Sequence, residues 1–137
     1  MGYRFEELQT GMSASFTKRV TSSDIISFAQ VSGDSNPLHL DEDFAGRTMF
    51  KTRIAHGMLT ASFISAIIGT KLPGDTAVYL SQSLRFIAPV HIGEEVTALA
   101  SITALDAQRR RVTLATTCSV GEREVVTGEA LVMVMEL

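Results

Sequence analysis

The sequence has no tryptophan, only three prolines and a single cysteine among its 137 residues. Because one cysteine cannot form an internal disulfide, Cys118 suits a reducing compartment, and we expect a cytoplasmic protein. The net charge is only −3, and no basic stripe is visible. We therefore expect neither a nucleic acid nor an anionic membrane as a partner.

We also expect no membrane-spanning segment and no targeting signal, because the longest apolar stretch, Ile54–Gly69, is too short and too rich in hydroxyl groups to span a membrane. The first eleven residues, MGYRFEELQTG, carry two glutamates and lack the apolar core of a secretory signal. The 45% hydrophobic fraction argues against disorder, and the length fits one domain over residues 1–137 with a substantial core. Three acids at 41–43 lack the ligand spacing of a calcium loop, so we expect no metal there.

The segment 32–39, read as SGDSNPLH, carries the strongest chemical signal. It places Asp34 and His39 five residues apart on a stretch that we predict to be too irregular for a helix. Gly33 tolerates any backbone angle, and Pro37 fixes its own φ and pushes Asn36 toward an extended conformation. A carboxylate and a neutral imidazole that converge on one water molecule form a proton-transfer site. The alternative is that both are ordinary loop residues.

The elements on either side of this loop are helical. Thr21 to Asp24 offer capping hydroxyls and an acid, which predicts a helix start, and Gly33 is a suitable end. A strand is predicted before it, at Met12–Val20. After it, Ile54–Gly69 is apolar nearly all round and rich in small residues, which is typical of a helix packed on every side.

The rest of the chain alternates with a period of two. Apolar residues recur at every second position from Ala77, in Glu95–Ala104, in Arg111–Val120 and in Val125–Met135, which predicts four antiparallel strands. Cys118 falls in this pattern, where we expect a small buried side chain. One buried helix beside a largely antiparallel sheet is an α+β arrangement.

The string Phe28–Ala45 resembles the hydratase-2 motif of the MaoC-like, (R)-specific enoyl-CoA hydratases. That motif has an aromatic residue, an aliphatic and a small residue, then G-D-x-N-P-aliphatic-H and a small residue six positions later. The resemblance implies a hot-dog fold, in which a curved sheet wraps a central helix. It also implies reversible hydration of trans-2-enoyl-CoA to (R)-3-hydroxyacyl-CoA without a cofactor, with Asp34 and His39 acting as a pair.

Hydration of a thioester also requires a donor for the developing oxyanion. Gly57 lies near the start of the buried helix, where unpaired N–H groups and the helix dipole favour negative charge. Close packing is the alternative reason for this glycine. If the acyl tail follows the same helical stripe, it contacts Ala61, Ser65 and Ile68; alternatively, these residues only let strands approach the helix.

The sequence is also compatible with other activities of hot-dog proteins. The nearest alternative activity is dehydration of a (R)-3-hydroxyacyl thioester on an acyl-carrier protein. A hot-dog thioesterase commonly has an acid on the central helix, which Gly57–Gly69 lacks, and a non-catalytic acyl-binding module would be expected to have lost Asp34 or His39. We expect His56 to be structural and His91 to be exposed. Because a five-stranded sheet leaves open edges, and because the family pairs them, we expect a homodimer.

Overall fold

A five-stranded antiparallel sheet and one long helix dominate the computed structural model, which describes residues 2–137. The strands are β1 (Ser13–Arg19), β2 (Ala77–Phe86), β3 (Glu95–Asp106), β4 (Arg111–Val120) and β5 (Arg123–Val134). The helices are α1 (Ser22–Ser32), α2 (Pro37–Leu40), α3 (Glu42–Gly46) and α4 (Gly57–Thr70), and a 3₁₀ turn covers Phe5–Glu7. These bounds confirm the predicted strands and the predicted helix start after Thr21.

The strand order explains why the connection between β1 and β2, which contains all four α-helices of the described residues, crosses the sheet. In the sheet the order is β1-β3-β4-β5-β2, so two strands that follow each other in sequence occupy opposite edges. The chain between them must therefore cross the sheet, and it does so with α4, which packs against all five strands. One long helix packed against one face of an antiparallel sheet is the α+β, hot-dog arrangement that was expected.

The core lies between α4 and the facing side of the sheet. The predicted alternation holds in β3 and β4, where every second side chain is buried. Ala98 and Ala100 are fully buried, and such small side chains let the helix approach the sheet. Ile64 and Ile67 of α4 are also fully buried, and each such side chain contributes roughly 1.5–3 kcal/mol to folding.

The structure corrects two expectations about the central helix. It begins at Gly57 and not at Ile54, because residues 54–56 are extended: Ile54 forms a β-bridge with His91, and the Ala55 N–H donates to the Val90 carbonyl. Nor is it buried all round. An exposed stripe runs along it at helical spacing and comprises Met58, Ser62, Ser65 and Gly69. The sheet covers only the opposite face, so this stripe is open in a single chain.

Strand β2 also differs from its predicted alternation. Its pairing with β5 shifts between Tyr79 and Ser81, and consequently Tyr79 and Leu80 are both exposed. Near its end, Phe86 is 54% exposed. Strand β2 is therefore an edge strand that has exposed apolar side chains and an unpaired backbone edge. Proteins usually cover such an edge or pair it with another strand. No helix within residues 2–137 is long and apolar enough to cross a membrane.

The close pairing of β2 with β5 predicts a large difference between two glycine substitutions. A Cβ at Gly128 would lie 1.8 Å from the Ser83 carbonyl oxygen, whereas no atom lies within 4 Å of a Cβ at Gly69. We expect Gly128→Ala to lower the free energy of unfolding by about 1–3 kcal/mol or more. Gly69→Ala, the control, is expected to raise it by roughly 0.5–1 kcal/mol, because alanine favours a helix. Urea unfolding measures both, and wild-type stability in Gly128→Ala would contradict this pairing.

Candidate active site

The loop that carries Asp34 holds its own shape through short-range hydrogen bonds. Gly33 ends α1 in the left-handed conformation, with φ of 80°. The Asp34 N–H donates to Ser32 Oγ over 3.1 Å, and the Asn36 N–H donates to Asp34 Oδ1 over 3.3 Å. Asn36 then caps α2 by accepting from the Leu38 N–H over 3.0 Å.

His39 lies on a turn of helix, which corrects the expectation of an irregular segment. Proline suits the first position of a helix, and with Asn36 as the cap the residues Pro37–Leu40 form a single helical turn. This turn directs His39 inward, where it is only 9% exposed. Asp34 before the turn remains exposed. The proline therefore starts the turn that buries the imidazole close to the more exposed carboxylate.

Hydrogen bonds fix both the ring and the backbone of His39. Its Nδ1 lies 2.8 Å from the Ile54 carbonyl oxygen. A carbonyl only accepts, so Nδ1 carries the hydrogen and Nε2 presents a lone pair. Arg53 Nε donates to the His39 carbonyl over 2.7 Å, and another guanidinium nitrogen donates to Ser22 Oγ over 3.2 Å. Arg53 carried no sequence signal, because its role depends on a contact made only in the fold.

The surroundings of His39 favour its neutral form. Burial lowers the pKa of His39, and the neighbouring His56 lowers it further. The bond to Ile54 and the Asp34 carboxylate act in the opposite direction, but the pKa remains below the usual value of about 6.5. Near neutral pH the ring is therefore available as a proton acceptor.

His56 joins the predicted pair in space. It is 2% exposed, and its ring stacks on that of His39 with centroids 3.9 Å apart and planes 29° apart. Its Nε2 lies 2.9 Å from the Asp34 carbonyl oxygen, within hydrogen-bond distance. Its ring centroid also lies 4.9 Å from that of Phe28. Its Nδ1 is buried without a hydrogen-bond partner among the described residues. From the sequence we expected His56 to be structural, because the family resemblance assigns the acid/base work to Asp34 and His39, and nothing local linked His56 to their loop.

The three side chains form one compact polar group. One potential ligand atom from each of Asp34, His39 and His56 lies within 4.8 Å of the other two. Such a group can surround a single water molecule, and the same types of donor also bind zinc. That the protein uses no metal stays a prediction.

The start of α4 supplies backbone donors beside this group. His56 is the N-cap without a side-chain bond to the helix, and the Leu59 and Thr60 N–H groups return to the His56 carbonyl. The earlier Gly57 N–H lies before the first intrahelical bond. A Cβ at Gly57 would lie 2.7 Å from ring atoms of Phe86. A side chain at position 57 would therefore require the Phe86 ring to move, and the Gly57 N–H lies at the same place.

Asp34, His39, His56 and Gly57 all line one cavity of about 420 Å³. Most of its remaining wall is apolar and includes Phe50, Met58, Phe86, Ile87, Val90 and Val126. A polar corner in an otherwise apolar cleft can bind an apolar substrate with a polar reactive group, and it can hold a water molecule beside that group.

The proposed acyl stripe is not part of this cavity. Ala61 is 9% exposed and Ile68 is 1% exposed, and both belong to the buried side of α4. Ser65 lies on the exposed stripe of the helix. None of the three lines the cavity that contains Asp34 and His39.

Two further residues considered from the sequence, His91 and Cys118, do not line this cavity. His91 was expected to be exposed but is half-buried, and its Nδ1 lies 2.9 Å from Thr52 Oγ1. Cys118 is fully buried, as expected, and burial raises the pKa of its thiol to about 12. A thiol with this pKa is a poor nucleophile, so the cysteine serves as a core side chain.

Known proteins share both the sequence and the architecture. Residues 5–124 match the family model described as the MaoC like domain. An (R)-specific enoyl-CoA hydratase from Rhodospirillum rubrum is 54% identical over 95% of this chain and 90% of its own. A 3-hydroxybutyryl-CoA dehydratase from Methylorubrum extorquens is 53% identical over 95% of this chain and 83% of its own.

A solved structure gives the same result. The (R)-hydratase from A. caviae, described as involved in PHA biosynthesis, superimposes with a TM-score of 0.92 and 44% identity. The match covers 95% of this chain and 99% of that one. The motif at Phe28–Ala45, the hot-dog fold and these matches agree, and the chain belongs to the MaoC-like domain family.

Proposed function

We propose that the protein hydrates trans-2-enoyl-CoA reversibly to (R)-3-hydroxyacyl-CoA. The observation that carries this proposal is the shared cavity, in which the Asp34 carboxylate and the His39 imidazole lie beside the first backbone donors of α4. The similar proteins named as an (R)-specific enoyl-CoA hydratase and a 3-hydroxybutyryl-CoA dehydratase support the same reaction in its two directions.

In this mechanism Asp34 and His39 hold one water molecule. Because Nδ1 of His39 is occupied by the Ile54 carbonyl, Nε2 is the nitrogen that accepts from water. The carboxylate of Asp34 accepts the second O–H, which leaves an oxygen lone pair free to attack C3 of the enoyl group. As the new C3–O bond forms, the water proton passes to this pair, and the pair returns a proton to C2 on the same face.

The thioester oxygen gains negative charge as the double-bond electrons move toward it. In the proposed complex this oxygen accepts from the Gly57 N–H, where the helix dipole also favours an anion. One such donor is worth on the order of 3–4 kcal/mol in comparable oxyanion sites. The apolar wall around it limits the access of bulk water, which strengthens the interaction.

Replacement of either group that holds the water is expected to remove most of the activity. Asp34→Asn and His39→Gln should each reduce kcat/KM for crotonyl-CoA by about 10²–10⁴-fold while the circular dichroism spectrum stays native. Asp43→Asn, on an exposed turn nearby, is the matched control for the carboxylate and should keep wild-type rates. If either active-site variant kept more than a tenth of the activity, the paired mechanism would be wrong.

The same assay separates the two thioester carriers. Loss of the enoyl absorbance is followed for a CoA thioester and for its acyl-carrier-protein counterpart, and the chirality of the product is determined. We expect the CoA thioester to be the better substrate and the (R)-alcohol to be the product. A strong preference for the carrier protein would instead assign the protein to dehydration in fatty-acid synthesis.

We propose that the protein is a homodimer in which the free edge of β2 is covered. This edge carries the exposed side chains Tyr79, Leu80 and Phe86, and it is followed by the exposed Ile87. Antiparallel pairing of two β2 strands about a twofold axis would cover the β2 edge of each subunit and join the sheets, with β1 left at the two outer edges. Because Phe86 also lines the cavity, the active site would lie at the subunit boundary.

A pair of matched substitutions tests the assembly. Leu80 on β2 and Leu99 on the interior strand β3 are 42% and 41% exposed, so lysine at either position meets a similar environment in the single chain. We expect wild type and Leu99→Lys to sediment as dimers at micromolar concentration, and Leu80→Lys to dissociate and lose activity. A fully active monomeric wild type would overturn the dimer, and a dimeric Leu80→Lys would exclude this edge.

We also propose that long acyl tails leave the cavity along the exposed stripe of α4 and pass Ser65, whereas Ala61 and Ile68 face the sheet and support the helix from its buried side. Ser65 lies on the open stripe of the helix, where a small side chain leaves room for a tail beneath a covering subunit. Ser65→Phe is therefore expected to slow octenoyl-CoA at least tenfold more than crotonyl-CoA. Equal effects of Ser65→Phe on the two substrates would show that the tail takes another path.

A cytoplasmic location is proposed as well. Its support is the single cysteine, which is buried as a free thiol, together with a CoA thioester as the proposed substrate. Free thiols and the absence of a disulfide framework suit a reducing compartment.

A further inference from the structure

We propose that His56 is a positioning residue that holds Asp34 and His39 in their working geometry. It bonds the backbone of one and stacks on the ring of the other. The kinetic consequences of this inference rest on the proposed hydration reaction. The contacts themselves do not, and they can be tested separately.

The hydrogen bond to Asp34 sets the tautomer of His56. The Asp34 carbonyl oxygen can only accept, so the hydrogen lies on Nε2 of His56. The remaining nitrogen, Nδ1, is buried without a partner among the described residues. A tautomer with the hydrogen on Nδ1 would bury an unpaired donor and break the bond to Asp34, and each of these changes is costly. The ring is therefore held in one orientation.

The same bond connects the Asp34 loop to the central helix. The hydrogen bonds within this loop, from Asp34 to Ser32, from Ser35 to Gly33 and from Asn36 to Asp34, span only two residues and do not anchor it to the core. His56 reaches across 22 positions of sequence and is itself 2% exposed. It thus fixes an otherwise exposed carboxylate relative to the buried part of the protein.

Stacking extends this support to His39. The rings of Phe28, His56 and His39 lie in series, with centroid distances of 4.9 Å and 3.9 Å. Phe28 comes from α1 and packs against the core, whereas His39 belongs to α2. The series restricts rotation of His39 about its side-chain bonds, so that Nε2 stays directed away from the Ile54 carbonyl. Since His56 also precedes Gly57, one residue links the carboxylate, the imidazole and the backbone donor.

Two substitutions separate the two contacts. In His56→Gln an amide N–H can still donate to the Asp34 carbonyl, but the stacked ring is lost. His56→Phe keeps a stacked ring and loses the donor. A displacement of about 1 Å in a catalytic group can cost on the order of 10²-fold in rate. We therefore expect each variant to lower kcat by ten- to a hundredfold with KM changed less than threefold, whereas Asp43→Asn, on the exposed side of α3, should match wild type.

The pH profile gives a readout that a loss of stability alone would not produce. Around His39 the titratable and charged groups are Asp34, His56 and Arg53, the last bonded to its carbonyl. Asp34 and Arg53 remain in both variants, and burial is the main factor that lowers the pKa of His39. Water reaches His39 more easily beside glutamine than beside phenylalanine. The acid limb of kcat/KM should therefore lie at higher pH in His56→Gln than in His56→Phe.

Nitrogen NMR of histidine-labelled protein tests the contacts without an assay of activity. In wild type we expect hydrogen on Nε2 of His56 and on Nδ1 of His39, and a mixture of tautomers for His39 in His56→Gln. An Nδ1–H tautomer of His56 in wild type would overturn the proposal, as would folded variants with wild-type kcat, KM and pH profile. If the wild type hydrated no enoyl thioester, the proposed function would fail, and the tautomers would still decide the role of His56.

Discussion

The contact between α4 and the sheet is the constraint on which the other features depend. Because β1 and β2 occupy opposite edges, the helix between them must cross all the strands, and its isoleucines fill the resulting core. The helix begins at Gly57, directly after a short extended segment. Before it, Ile54 and Ala55 are held extended by His91 and Val90, which lie in the connection between β2 and β3. The Ile54 carbonyl that orients His39 is thus placed by the same packing that forms the core.

The site shows how a buried polar group can be both satisfied and reactive. His39 and His56 each direct one ring nitrogen to a backbone carbonyl, and this hydrogen bond offsets part of the cost of burial. The second nitrogen of each ring then makes no hydrogen bond to another described residue. For His39 that nitrogen belongs to a ring kept neutral by a lowered pKa, which is the state that accepts a proton. The bond to Ile54 therefore sets the orientation of the His39 ring, and burial favours its neutral form.

Local patterns in the sequence were sufficient for the parts of the structure that depend on local chemistry. Alternation located β3 and β4, and Thr21 and Gly33 marked the ends of α1. The motif pointed to Asp34 and His39, which line one cavity in the structure. The start of α4 at Gly57 was missed, because an apolar extended segment and an apolar helix have the same composition. The contact of His56 with Asp34 was also missed, since it exists only after the sheet and α4 have brought distant segments together.

The features that a single chain leaves open lie next to one another, and this links assembly to chemistry. Phe86 is the last residue of the edge strand β2, and its ring lies against Gly57 at the wall of the cavity. A partner that pairs with β2 would also determine how freely this ring moves over the backbone donor of α4. In the proposed dimer the second subunit therefore does more than cover apolar surface. It would also set the shape of the cleft in which, in the proposed mechanism, the thioester oxygen accepts from the Gly57 N–H.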